Sequence, residues 1–378
     1  MALTKLFNDF FNSEKAGGLV LVACTILSLA LANSAWQHDY IGLWHTDILG
    51  LSLEHWINDG LMAIFFLLIG LELERELYVG ELSNLKNALL PVLGALGGMI
   101  IPACIFLFFN FRTPTQSGAG IPMATDIAFS LGILALLGSK VPASLKIFLT
   151  ALAVIDDLGA IIIIAVFYTG TLSVINLLIA LFVFGILLLL NRLKIHNLIP
   201  YIIGGIVMWY FMLQSGVHTT IAGVLLAFAV PFGDGSIRSP SYKLQHVLHK
   251  PVAFIIMPLF ALANTGIIIH VNWYEGFADN NSIGILSGLV AGKPTGIILF
   301  CFLAVITGVC SLPPDVKWKH LFGAGLLAGI GFTMSIFITQ LAYTNETTIN
   351  SSKFMVLIAS LISGILGFSW LKSVFKRD

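Results

Sequence analysis

Apolar runs of about 20 residues recur from one end of this chain to the other, and they limit its fold more than any other feature. A helix of that length, rising 1.5 Å per residue, crosses the hydrocarbon core of a bilayer. Twelve such runs are read at 13–33, 59–79, 88–109, 115–137, 144–169, 172–191, 198–212, 217–231, 247–270, 284–309, 321–342 and 352–374. The pair near 198 and 217 is short. Only 10% of the residues are charged and 58% are hydrophobic, against about 25% charged in a soluble domain. A water-soluble globule of this size has too little polar surface to cover so much apolar material. The expected fold is therefore all-α and polytopic, a single transmembrane domain over 1–378.

The basic residues test the count. Twelve spans put both termini on one side. If that side is the cytoplasm, the inside segments hold every Lys and Arg except Arg112 and Lys353, which fall outside, and Lys293, which falls in the membrane. Positive residues prefer the cytoplasmic side, and a wrong count would have scrambled the alternation. Balanced charge, with 19 basic and 19 acidic residues, argues against a nucleic-acid partner. Cys24, Cys104, Cys301 and Cys310 sit in apolar runs without CxxC spacing and read as small hydrophobes. No HExxH occurs, so a metal enzyme is not expected. The first run ends in a cleavage-like Ala30-Leu31-Ala32. The long, mixed-charge stretch before it favours an uncleaved first helix over a signal peptide. The outside loop 38–56 alternates weakly over Tyr40–Trp44 and is read as a small β-hairpin, with an irregular loop as the alternative.

Two segments resemble each other. Gly118-Ala119-Gly120 opens the fourth run and Gly323-Ala324-Gly325 the eleventh. Both go on to helix breakers, Pro122 in one and Gly329 with Gly331 in the other. Ser130 and Ser335 follow at the same offset. Each segment is the middle of a triplet of runs, 88–169 and 284–374, and the triplets enter the membrane from opposite sides. This is the pattern of an inverted repeat with two discontinuous helices crossing near the midplane, where transporters hold their substrate. Broken backbone persists in a membrane only against protein or a wet cavity.

Asp126, Asp156, Asp157 and Lys293 lie deep in these runs. Each charge there costs at least about 2.5–3.5 kcal/mol, so it is compensated or functional. Neighbours on a helix point about 100° apart, so one of Asp156 and Asp157 is free to pair with Lys293 while the other lines a cavity. Burial and like charge favour the protonated carboxyl, and an ionised carboxylate is a hard ligand for a small cation. A group that binds either H⁺ or Na⁺ is the minimum chemistry of exchange. Asp126, just past Pro122, is placed to neutralise helix N-termini at the break, and Lys293 to neutralise C-termini or pair with an aspartate.

The chain resembles the NhaA family of bacterial Na⁺/H⁺ antiporters, a family built on inverted repeats. The matching pieces are Phe65-Phe66-Leu67-Leu68-Ile69-Gly70-Leu71-Glu72 through Arg75-Glu76, Ala124-Thr125-Asp126, Ile155-Asp156-Asp157-Leu158-Gly159, Gly216-Val217-His218-Thr219-Thr220, His246-Val247-Leu248-His249 and Gly292-Lys293-Pro294. The resemblance implies electrogenic export of Na⁺ or Li⁺ driven by proton entry, without a cofactor, in a dimer of the bacterial inner membrane. It makes Asp157 and Asp156 the Na⁺ and proton carriers, Lys293 the partner of Asp156, and Thr125 and Asp126 part of the broken-helix assembly. It assigns the pH response to Glu72, Arg75, Glu76, His218, His246 and His249, and dimerisation to the first outside loop. Gln245 and Tyr242 depart from the family pattern, which often has glutamate and lysine there.

Two other classes compete. An intramembrane aspartyl protease needs two carboxylates sharing a proton at about 3 Å. Adjacent Asp156 and Asp157 diverge, and no YD or GxGD motif occurs. A cation channel needs a ring of carbonyls or charges, and no filter-like run is present.

Overall fold

A computed structural model describes residues 2–168, 172–269 and 273–377. The ends of the runs read to 169 and 270 lie outside the described residues, as do the side chains of Lys5, Lys15, Lys86 and Arg377. Helix α1 covers Ala2–Ala32 and α2 Gln37–Trp44. Strands β1 (Asp47–Ile48) and β2 (Leu51–Ser52) follow. Then come α3 (Leu53–Tyr78), α4 (Leu85–Asn110), a 3₁₀ segment Gln116–Met123, α5 (Ile127–Leu136), α6 (Ala143–Phe167), α7 (Val174–Arg192), α8 (Ile199–Ser215) and α9 (Thr220–Ala229). The chain ends with α10 (Pro240–Asn264), α11 (Asn280–Ile306), α12 (Trp318–Ala328), α13 (Phe332–Ala342) and α14 (Glu346–Arg377).

Among the described residues, eight helical segments are long and apolar enough to cross a membrane, and the bent pair α12–α13 makes a ninth. Ala16–Ala32 of α1, α8 and α9 are shorter apolar helices. Phe108, Ile175, Phe182, Ile206 and Leu361 point outward on these helices, exposed as lipid-facing residues are. Lys353, counted above with the outside loops, is instead buried within α14.

Side chains of α7, α8 and α9 form one apolar cluster with Leu67 and Leu71 of α3 and Leu244 of α10. The remaining helices form a second, larger cluster, which Phe65, Phe66, Leu68 and Ile69 of α3 join. Helix α3 is thus shared by two packed bodies. Within the larger one, α4 and α11 cross at Gly97 and Gly296. A Cβ on either glycine would collide with the other's backbone carbonyl. Close backbone approach of this kind is what small residues permit between membrane helices. Gly296→Leu is therefore expected to lower the thermal midpoint in detergent, by an overpacking cost of about 1–3 kcal/mol or more. Gly185→Ala on α7, where a Cβ meets open space, should leave it unchanged or raise it.

The loop reading needs one correction. Tyr40–Trp44 is helical, in α2, and the two-stranded hairpin sits further on, with Asp47 opposite Ser52 and Ile48 opposite Leu51. Tyr40 and Trp44 share a face at i,i+4 spacing, their rings packing edge-on at 5.8 Å. The Tyr40 hydroxyl donates to the Leu262 carbonyl at 2.7 Å, which anchors the helix to α10. The hairpin turn places Leu49 and Gly50 at φ 57° and 86°, as a type I′ turn requires.

Candidate functional site

Two chain breaks meet in the middle of the protein. The first, Ala124-Thr125-Asp126, separates the 3₁₀ segment from α5. Pro122 has no amide hydrogen to continue a helix, and Asp126 caps α5 by accepting from Phe129 N–H at 2.9 Å. The second, Gly329-Ile330-Gly331, separates α12 from α13, which bend by 46°. Glycine is the weakest helix former after proline. The breaks are joined directly: the Asp126 amide donates to the Ile330 carbonyl at 2.7 Å. The other oxygen of Asp126 accepts from the Thr333 amide at 3.2 Å and hydroxyl at 2.5 Å. One carboxylate thus satisfies the N-termini of α5 and α13, where helix dipoles favour negative charge. Ser130 donates to the Leu327 carbonyl at 2.9 Å and Ser335 to the Ile121 carbonyl at 2.7 Å. Each serine ties its own half-helix to the opposite broken helix.

Lys293 begins the second α-helical stretch of α11, directly after a π-helical turn, Gly288–Gly292. Such turns commonly accompany functional sites. Its ammonium, fully buried, lies 2.8 Å from Asp156 Oδ2 and also donates to the Met123 carbonyl at the end of the 3₁₀ segment. The same Asp156 oxygen accepts from the Thr125 hydroxyl at 2.7 Å, and that hydroxyl is 3.0 Å from the Ala328 carbonyl at the end of α12. Lys293 and Thr125 therefore serve the C-terminal ends as Asp126 serves the N-terminal ones.

Asp157 differs from these neighbours. It is 1% exposed, yet neither carboxylate oxygen has a hydrogen-bond partner, and Asp156 Oδ1 also has none. Asp157 lines a cleft together with Asp126, Thr333, Glu72, His249, Phe65 and Met257. Among the described residues no three His, Cys, Asp or Glu side chains converge on one point. The donor set is thus one open carboxylate beside an ion pair, suited to a proton or a small hard monovalent cation.

The residues to which the family resemblance assigns a pH response divide between two places. Glu72 and His249 face each other across the cleft at 4.0 Å. Arg75 stacks over the Tyr242 ring at 4.9 Å, and His246 stacks on the same ring. Tyr242 thus engages charge through its face, although it lacks one. Glu76 accepts from the Glu81 amide at 3.1 Å. His218 stands apart, donating to the Tyr168 carbonyl at 2.7 Å near the turn between α8 and α9. Sequence reasoning missed Thr333 and the Met123 carbonyl. A threonine two residues beyond Gly331 was a usable signal, since its hydroxyl sits where a break leaves amides unpaired. A backbone carbonyl offers none.

A family model described as Na⁺/H⁺ antiporter 1 matches residues 8–371. The Na(+)/H(+) antiporter NhaA of Flavobacterium psychrophilum is 66% identical over 377 residues, covering 100% of this chain and 98% of the relative. The protein of the same name in Salmonella typhi is 47% identical over 384 residues, with 98% of each chain covered. Among solved structures, the sodium proton antiporter MjNhaP1 of Methanocaldococcus jannaschii aligns with a TM-score of 0.57 over 100% of this chain and 99% of its own, at 14% identity. That likeness shows a shared fold. The match of sequence pattern from residue 8 to residue 371, together with the high identity of full-length relatives, establishes that this chain belongs to the Na⁺/H⁺ antiporter 1 family.

Proposed function

We propose that this protein exports Na⁺ or Li⁺ in exchange for protons by alternating access, with the cation and protons competing for Asp157 and Asp156. The observation that carries the reading is Asp157, buried, without a hydrogen-bond partner on either oxygen, and facing an open cleft. A group left so uncompensated in a membrane has a functional reason to be there. The names of the relatives support the pair of ions.

In this mechanism, protonated carboxylates release protons into the cleft and Asp157 captures Na⁺. Binding draws Asp156 away from Lys293. The body built on α7, α8 and α9 then moves against the other, the cation leaves on the opposite face, and protons reload the carboxylates. More than one proton enters per cation, so the exchange moves net charge. The distribution of Lys and Arg supports twelve spans with both termini cytoplasmic. The reciprocal serine contacts of Ser130 and Ser335 support an inverted repeat over 88–169 and 284–374. Glu72 with His249 at the cleft supports regulation by cytoplasmic pH. The hairpin in 38–56 is the proposed contact between two copies. The chain is a secondary transporter of a bacterial inner membrane and catalyses no covalent chemistry. Asp156 is engaged by Lys293 at 2.8 Å, which argues against a proton-sharing aspartyl dyad.

Purified protein in proteoliposomes with an acid interior tests this. Na⁺ or Li⁺ added outside should collapse the pH gradient, and K⁺ or choline should not. A valinomycin-set inside-negative potential should accelerate Na⁺ efflux coupled to proton entry. Cation flux without proton movement would mean a channel, and indifference to the potential would mean neutral exchange.

A further inference from the structure

Between the cleft and the hairpin, the packing has a definite construction. Three of the helices that line the cleft do so through Phe65 on α3, Met257 on α10 and Thr333 on α13. Seven residues away on each lies a carboxamide: Asn58, Asn264 and Gln340. Seven residues are two helical turns, about 10 Å, and return to nearly the same face. On α3 the interval passes through the π-helical turn Trp56–Leu61. All three carboxamides lie on the hairpin side of the crossing and they meet. Asn264 Nδ2 donates to Asn58 Oδ1 at 2.8 Å and to the Phe260 carbonyl at 2.9 Å, and Gln340 Nε2 donates to Asn264 Oδ1. Gln340 Nε2 also donates to Glu54 Oε1 at 3.1 Å. Glu54, partly exposed, is 4.0 Å from His45 on its outer side, and the buried Lys353 ammonium of α14 interacts with it electrostatically.

Between this cluster and the aspartates lies an apolar layer from the same three helices. Phe66, Phe260 and Phe337 are buried, with Phe337 5.6 Å from Phe66 and 6.3 Å from Phe260 between ring centres. A bare or partly hydrated cation finds no oxygen ligand on these three side chains. Beyond it, Asn58, Asn264, Gln340 and Glu54 offer hard oxygen donors suited to Na⁺ or Li⁺. Gln340 Oε1 is buried without a hydrogen-bond partner, so one donor is already unengaged.

We propose that Asn58, Asn264, Gln340 and Glu54 form an outer cation station, separated from Asp157 by the Phe66–Phe260–Phe337 layer, through which the exported ion leaves when that layer parts. The cluster exchanges its internal hydrogen bonds for contacts to the ion, which lowers the cost of moving the ion from a dry site to water. The inference rests on the exchange reading above and adds ion-ligating residues to it.

The test measures Na⁺/H⁺ exchange in proteoliposomes for wild type, Gln340→Leu, Asn264→Leu and Gln340→Glu, each with its thermal midpoint. Both leucine variants should lower the maximal rate at least tenfold, with the half-saturating Na⁺ concentration at the cleft face within about twofold of wild type and the midpoint no lower. Gln340→Glu, which restores an oxygen donor, should return to within about threefold of the wild-type rate. Leucine variants at the wild-type rate would overturn the station. So would a rate loss that tracks a fall in midpoint, or one that Gln340→Glu fails to rescue. Wild-type protein that moves no protons against Na⁺ would overturn the exchange reading itself, and with it the station.

Discussion

Replacing Asp157 by Asn is expected to abolish exchange while leaving the protein folded. The carboxamide is nearly isosteric with the carboxyl group, so the packing around this 1%-exposed side chain is kept. It has no proton to give up near neutral pH, and it brings no negative charge to a cation. Na⁺ entering the site would then sit as an uncompensated charge in an apolar span, at a cost of at least about 2.5–3.5 kcal/mol. That corresponds to about a 100-fold loss of cation occupancy, since each 1.4 kcal/mol is tenfold. The proton side of the cycle fails outright. Because neither Asp157 oxygen is hydrogen-bonded, Asn removes no contact, and the thermal midpoint in detergent should equal or exceed that of wild type. Na⁺-dependent collapse of an acid-inside gradient should fall to the level of empty vesicles. Asp157→Glu keeps the charge and should retain exchange with an altered half-saturating Na⁺ concentration. Proton-coupled Na⁺ transport by Asp157→Asn at more than a few per cent of the wild-type rate would remove Asp157 from the mechanism.

The ingredients of this site were legible because membrane burial makes them costly. A charge in an apolar run needs a reason, so Asp126, Asp156, Asp157 and Lys293 stood out without any structure, as did the breakers Pro122, Gly329 and Gly331. What the sequence leaves open is the assignment of partners. Adjacent aspartates on one helix are equivalent by spacing; the family resemblance pairs Asp156 with Lys293, and the fold places Asp156 there and leaves Asp157 facing the cleft. The role of Asp126 depends on the Thr333 amide and the Ile330 carbonyl. Backbone groups of this kind have no residue signature.

The same limit explains the loop. Tyr40, Gly42 and Trp44 alternate as a strand does, but residues 40 and 44 also share a helical face. Over five residues the two periods cannot be separated. The hairpin turn places a leucine at positive φ, where Asn or Asp is the usual signal. The π-helical turns at Trp56–Leu61, Val252–Ile256 and Gly288–Gly292 add to the difficulty. A widened turn shifts the register of everything after it, so the aim of Lys293 or Asn58 does not follow from a count of residues along an ideal helix.

The ion pair itself makes the second large prediction. Lys293→Met keeps an apolar stem in a site where the lysine is fully buried, so it removes the charge with little change of volume. It leaves Asp156 without its counter-charge and the Met123 carbonyl without a donor. Removing one member of a buried pair costs about 3–5 kcal/mol, and Asp156 limits that loss by taking up a proton. The double variant Lys293→Met with Asp156→Asn removes both charges, so the desolvation penalty disappears with the attraction. Only the orphaned Met123 carbonyl remains, at about 1–3 kcal/mol, while the carboxamide that replaces the Asp156 carboxylate can still accept from the Thr125 hydroxyl. The single variant should therefore show the lowest thermal midpoint, with the double variant recovering part of the difference but not all of it. Unfolding followed by intrinsic fluorescence in detergent, at one pH for all three proteins, measures this order. If the double variant were no more stable than Lys293→Met, the unpaired Asp156 charge would not be the source of the loss. The cost would then lie in the Met123 carbonyl and the broken 3₁₀ segment that Lys293 holds in place.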